Sequence, residues 1–146
     1  MILSSSSFEE GQEIPQKHGK KIENVSPQLS WKDVPRGTKS FALALVDKHP
    51  IAQNYVHWLV ADISTDTTSL KEGASGSAMP AGSREIEAYA GPFPPSGTHD
   101  YEFTLYALGV DKLDLPKKVS LQDFVEAVKP HTLDTAKLVG KFTKVR

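Results

Sequence analysis

The chain has 146 residues, 38% of them hydrophobic and 24% charged, with a formal net charge of −1. That length and balance fit one globular domain, and the near-zero charge provides no general positive field for nucleic acid or an anionic membrane, so anion recognition must be local. The chain has no cysteine, which excludes disulfides, thiolate nucleophiles and thiolate metal sites.

At the N-terminus, Met1-Ile2-Leu3 leads into four serines, without the charged start and long apolar run of a secretory signal. No apolar stretch approaches the ~20 residues needed to cross a bilayer. The expectation is a soluble, cytoplasmic protein with no stable membrane insertion. Residues 1–23 are polar and predict an edge strand and loops. Lys17, Lys20 and Lys21 form a short basic patch there, but Glu9, Glu10, Glu13 and Glu23 surround it, so it reads as a solvated face and not a nucleic-acid site.

Ser40 to Asp47 reads SFALALVD and is apolar on both faces, which predicts a central strand covered on both sides. Asp47 shares a face with Phe41, Leu43 and Leu45, where a carboxylate costs several kcal/mol unless it is paired or serves as a turn residue just beyond the strand. Tyr55 to Ile63 reads YVHWLVADI, a second strand, in which period-two alternation puts His57 with Tyr55, Leu59 and Ile63. Such a histidine is either a satisfied core residue or a site residue.

The loop Gly91-Pro92-Phe93-Pro94-Pro95-Ser96-Gly97-Thr98-His99-Asp100-Tyr101 is stiffened by three prolines. The amides of Phe93, Ser96, Gly97 and Thr98 are free to form an anion-binding nest, unless this is an ordinary proline-rich connection. His99 and Tyr101 share parity at the head of a third strand that runs to Leu108. Helical signals are confined to the C-terminal third. Ser120 and Asp123 form a capping pair ahead of Leu121, Phe124, Val125 and Val128, and Pro130 interrupts. A second short helix is expected over Thr132 to Val139, closed by Gly140. Strands first and helices late indicate a β-rich core.

Several of these segments together resemble the phosphatidylethanolamine-binding protein family, which includes the Raf kinase inhibitor-like proteins of bacteria and archaea. Asn24-Val25-Ser26-Pro27-Gln28-Leu29-Ser30-Trp31 is similar to its N-terminal signature, and His57-Trp58-Leu59-Val60 to its histidine-tryptophan strand. The loop Gly91 to Tyr101 is similar to its G-P-x-P-P-x-G…H-R-Y segment, and His131 to Gly140 to its closing segment. The chain departs from the family pattern in two places. Asp47-Lys48-His49-Pro50 replaces a DPDAP motif, and Asp100 stands where arginine is usual. The stretch between Arg84 and Tyr89 is also shorter than in some relatives.

The resemblance implies a mainly β, β-sandwich-like fold of antiparallel sheets with short flanking C-terminal helices. It implies a pocket for phosphate-like groups or phospholipid headgroups, carried by Asp47, His57, His99 and Tyr101 and walled by Gly91, Pro92, Pro94 and Pro95. A binding or regulatory protein follows, without metal or cofactor, monomeric or homodimeric, with a protein kinase or protease as the possible protein partner. The alternative is a metal-dependent or acid/base enzyme using Asp47, His57 and His99, since two histidines and one carboxylate compose an iron facial triad. Against an enzyme stand the lack of a G-x-S-x-G elbow and of H-E-x-x-H spacing.

Overall fold

In the computed structural model, which describes residues 1–145, the chain builds two antiparallel sheets and one α-helix. The smaller sheet has the order β1 (Ile2–Ser4), β2 (Leu29–Lys32), β5 (Ser69–Leu70). The larger has β6 (Arg84–Glu87), β4 (Val56–Ser64), β3 (Ser40–Asp47), β7 (Thr98–Leu108) and β8 (Thr132–Thr143). No helix among the described residues is long and apolar enough to cross a membrane.

β3 is the central strand its two apolar faces predict, and all eight of its residues are buried. Phe41, Leu43 and Leu45 join Leu3, Leu29, Trp31 and Leu70 of the smaller sheet in the core between the sheets. Ala42, Ala44 and Val46 face the other way, where Leu113 and the helix α1 (Leu121–Val128) cover them with Phe124 and Val128. Small residues on this face let the helix approach closely, while large ones fill the inter-sheet space. The expected cap of α1 is present in full. Ser120 Oγ accepts from the Asp123 amide at 3.0 Å, and Asp123 Oδ2 accepts from the Ser120 amide at 3.1 Å.

The second C-terminal helix is not formed. Thr132–Thr143 is β8, paired with β7 from Leu108↔Thr132 to Thr98↔Thr143, and Pro130 lies in the short 3-10 turn Lys129–His131 that precedes it. The sandwich therefore carries one flanking α-helix and not several. Ala136 and Leu138 fit helical spacing with Leu133, but they also alternate with Gly140 and Phe142, and the alternation is what the fold uses. Ala136, Leu138 and Phe142 are buried between the sheets, whereas Leu133 is exposed. A helix here would leave the outer edge of β7 without partners along its whole length, a cost that local propensity cannot offset.

Gly140 is not a helix cap but a crossing point. The N-terminal segment runs along the far edge of β8, with the Gly11 amide donating to the Val139 carbonyl at 2.7 Å and the Ile14 amide to the Lys141 carbonyl at 2.8 Å. A β-carbon at position 140 would lie 2.5 Å from Ile14 Cγ1 and 2.7 Å from Phe8 Cε2. Gly140→Ala should therefore overpack this crossing and destabilise the protein by roughly 1–3 kcal/mol, read as a lower urea midpoint. An unchanged midpoint would mean that the N-terminal segment does not pack there.

Candidate functional site

The β3–β7 ladder sets Asp47 opposite Tyr101, and His99, two residues earlier on β7, projects from the same face. Asp47 is buried at the strand end, and its carboxylate is fully engaged. Oδ2 accepts from His99 Nδ1–H at 2.7 Å, and Oδ1 accepts from the His49 amide at 2.9 Å. Because the carboxylate accepts from Nδ1–H, Nε2 is the remaining ring nitrogen, and that atom is buried without a partner. The ring of His49 stacks on that of His99, with centroids 3.9 Å apart and planes 9° from parallel. The replacement of DPDAP thus supplies an aromatic lid over His99 and a backbone donor to Asp47.

His57 arrives differently from the simple alternation expected of it. Leu45 pairs with Trp58 and Val46 with Val56, so His57 is the extra residue of a β-bulge. Its parity with Leu59 and Ile63 is broken: Leu59 faces α1, and Ile63 returns to the inter-sheet core after a second irregularity where Asp62 takes φ 60°. The bulge turns the imidazole toward the proline loop. Nδ1–H donates to the Ala90 carbonyl at 2.6 Å, again leaving Nε2 as the open nitrogen. Burial pushes the His57 pKa below the ordinary histidine value, with the Ala90 carbonyl and the Asp47 charge opposing the shift. Tyr101 packs edge-on to His57, with centroids 5.2 Å apart, and its hydroxyl is buried without a partner. Burial and the nearby Asp47 charge raise the pKa of this phenol, which keeps it a neutral donor.

The proline loop is held by a clasp from the N-terminal region. Lys20 donates its amide to the Pro92 carbonyl at 3.1 Å, the Gly91 amide donates to Asn24 Oδ1 at 2.7 Å, and Tyr89 Oη–H donates to the His18 carbonyl at 2.9 Å. At Gly91 a β-carbon would sit 2.0 Å from the His18 carbonyl oxygen, so the clasp closes only over glycine. It also brings Lys20 to the site.

Together these elements enclose a cleft of about 300 Å³. Asp47, His57, Pro95 and His99, four of the residues the resemblance implies, line it, and Lys20, Ile51, Ala52, Tyr55, Ala90 and Phe93 complete the wall. Pro92 and Pro94 instead line a neighbouring depression, which Pro95 shares. Gly91 and Tyr101 are in neither lining and act from behind. The expected amide nest is not assembled: Thr98 is paired with Thr143 in the ladder, Ser96 and Gly97 sit on an exposed turn, and of the four amides only that of Phe93 belongs to a residue lining the cleft. Asp100 points away from His99 along the strand and pairs with Lys141 at 3.2 Å, so the charge reversal at this position is answered within the sheet. Among the described residues no three His, Asp or Glu side chains are arranged to hold a metal ion. Lys20 and Tyr55 are the main residues sequence reasoning missed. Lys20 gave no signal beyond its charge, because only a long-range contact places it.

A two-sheet sandwich with a strand-end carboxylate, two inward histidines and a glycine–proline loop defines a class of small-ligand-binding β proteins. Residues 4–143 match the family described as phosphatidylethanolamine-binding protein, and the chain belongs to that family. It is 37% identical to a UPF0098 protein of Methanothermobacter thermautotrophicus over 99% of each chain. It is 36% identical to a Mycobacterium tuberculosis protein, LppC, named as a lipoprotein, covering 97% of this chain and 72% of that one. The crystal structure of Escherichia coli YbcL, described as a new member of the mammalian PEBP family, superposes with a TM-score of 0.89 at 26% identity, over 99% of this chain and 98% of that one.

The depressed His57 pKa has a consequence for stability. A buried imidazole that stays neutral while its unfolded counterpart takes up a proton costs nothing above the unfolded value of 6.5, and destabilises as pH falls below it. His18, buried with Nδ1–H donating to the Val25 carbonyl at 2.8 Å, is shifted in the same direction by burial. The urea midpoint should fall between pH 7 and pH 5, and His57→Gln should remove part of that fall. An identical pH dependence in wild type and variant would show that His57 does not titrate low.

Proposed function

We propose that this protein is a small-ligand-binding protein that captures an anionic group, phosphate-like or the headgroup of a phospholipid, in the Asp47–His57–His99 cleft. The observation that carries this reading is the matched commitment of two buried imidazoles. His57 and His99 each tie Nδ1 to a fixed acceptor, which leaves His57 Nε2 free and His99 Nε2 buried without a partner, beside the single lysine of the cleft. In the neutral form each Nε2 is an acceptor, and in the protonated form a charge-assisted donor, so a phosphate oxygen is held best when a proton comes with it. Asp47 holds the His99 ring in place through Oδ2, and Tyr101 packs edge-on against His57 from behind. Capture is favoured over turnover because no serine or threonine lines the cleft and its carboxylate is already bonded on both oxygens. Cytoplasmic residence, as read from the sequence, belongs to the same proposal.

Calorimetry with inorganic phosphate tests it. Affinity should rise as pH falls from about 8 toward 6, with net proton uptake, and the rise should flatten once phosphate takes its own second proton. His57→Ala and His99→Ala should each weaken binding on the order of ten- to a hundredfold. Binding that is equal in all three proteins, or that is independent of pH, would remove the histidines from the site.

A further inference from the structure

The N-terminal clasp on the proline loop hangs on one side chain. The segment leaves the edge of β8 after Ile14, whose amide donates to the Lys141 carbonyl, and returns to the core at Ser26 and Pro27. Among the described residues between them, 15–25, only His18 has a buried side chain. The hold on residues 89–92 is hydrogen bonding: from the Lys20 amide to Pro92, from the Gly91 amide to Asn24, and from Tyr89 to the His18 carbonyl. A segment with so little apolar burial opens locally at lower cost than the sheets do.

The anchor is titratable. Its Nδ1–H is committed to the Val25 carbonyl at 2.8 Å, and Nε2 is buried without a partner. Glu72, on the turn after β5, holds Oε1 3.9 Å from that nitrogen, too far for a hydrogen bond, and gives the same oxygen to Lys17 Nζ at 2.8 Å. Lys17 and Glu23, within the segment, are the other charges that act on the ring. Against the segment the proline loop places Tyr89, whose phenol burial keeps neutral, and β8 places Phe142. Burial outweighs the two acids and holds the His18 pKa below the ordinary value of 6.5. A protonated ring in the closed clasp would bury a second N–H with no acceptor in reach. Once the clasp opens, water supplies one, so the open form is favoured progressively as pH falls below that value.

The clasp also reaches the cleft. Lys20 lines the wall, and the Gly91 amide that anchors the loop is bonded to Asn24. Burial and, behind it, the Lys20 charge lower the His57 pKa. We propose that the clasp is a proton-operated strap: uptake of a proton by His18 frees residues 15–25 from the proline loop, withdraws Lys20 from the wall and opens that side of the cleft. The strap acts in the ligand-free protein, so it does not depend on what the cleft takes up.

Amide hydrogen exchange, followed by NMR at pH 7 and pH 5 without ligand, tests the strap in wild type, His18→Gln and Glu72→Gln. In wild type the protection of the Lys20 and Gly91 amides, corrected for intrinsic exchange, should fall about three- to twentyfold. One proton with an open-state pKa of about 6.5 allows at most about 25-fold. Amides of β3 should stay more protected than these at both pH values. His18→Gln should reduce the fall to less than about twofold. Glu72→Gln removes a charge that favours the histidine cation, so it should make the fall steeper. The titration midpoint of His57 is a second readout. His18→Gln keeps the clasp closed and Lys20 in place, so the midpoint should lie below that of wild type, whereas simple loss of a positive charge at position 18 would raise it. Clasp amides as protected as those of β3 throughout would show that the segment opens only with the whole domain, and the strap would be wrong. An equal fall in wild type and His18→Gln, or a raised His57 midpoint in that variant, would overturn it too. Should His18→Gln not fold, the wild-type and Glu72→Gln measurements still decide, since a fall that does not steepen in Glu72→Gln contradicts the proposal.

Discussion

The hydrogen bond from His99 Nδ1 to Asp47 Oδ2, 2.7 Å long and buried, is the contact around which the site is organised. A carboxylate at the end of a fully apolar strand costs several kcal/mol when left alone. Here β7 delivers a donor to it, because the ladder places Tyr101 opposite Asp47 and His99 one same-face step beyond. The bond fixes the His99 tautomer, leaves Nε2 buried without a partner and, with the His49 amide, leaves no oxygen of Asp47 idle. Breaking it by removing one partner would strand the other in a place where neither water nor protein can satisfy it.

From that contact the rest of the cleft follows by stacking and bulging. His49 lies flat on His99, and Tyr101 packs against both histidine rings of the cleft, 5.2 Å from His57 and 6.4 Å from His99, centroid to centroid. The bulge at His57 is what turns a core-strand position into a site position, and the Ala90 carbonyl locks the ring once it is turned. The glycine at position 91 admits the N-terminal clasp, so a segment distant in sequence completes the wall. The contacts that shape the cleft also hold the fold, so a change meant to test binding here also touches folding.

Much of this was legible in the residues. The two apolar faces of SFALALVD announced a central strand, the Ser120–Asp123 pair announced a capped helix, and the shared parity of His99 and Tyr101 put both on one side of β7. The C-terminal segment was misread because Leu133, Ala136 and Leu138 satisfy a helical period, while Ala136, Leu138, Gly140 and Phe142 satisfy a strand period. Only the unpaired edge of β7 decides between them, and that edge is not a local property. The resemblance pointed to His57, and the residue lines the cleft, yet its geometry was not readable, since a bulge breaks the alternation on which parity rests. Lys20 looked like one lysine of a solvated patch until the clasp was seen.

The claim that the histidine cleft holds the anion is tested most directly by nitrogen-detected NMR of the imidazoles in the free and phosphate-saturated protein. The account predicts the proton on Nδ1 of both His57 and His99 in the free state, and a proton gained at His57 Nε2 on saturation, with a matching rise in its titration midpoint. An Nε2-protonated neutral tautomer in the free protein, or His57 resonances unmoved by saturating phosphate, would contradict it.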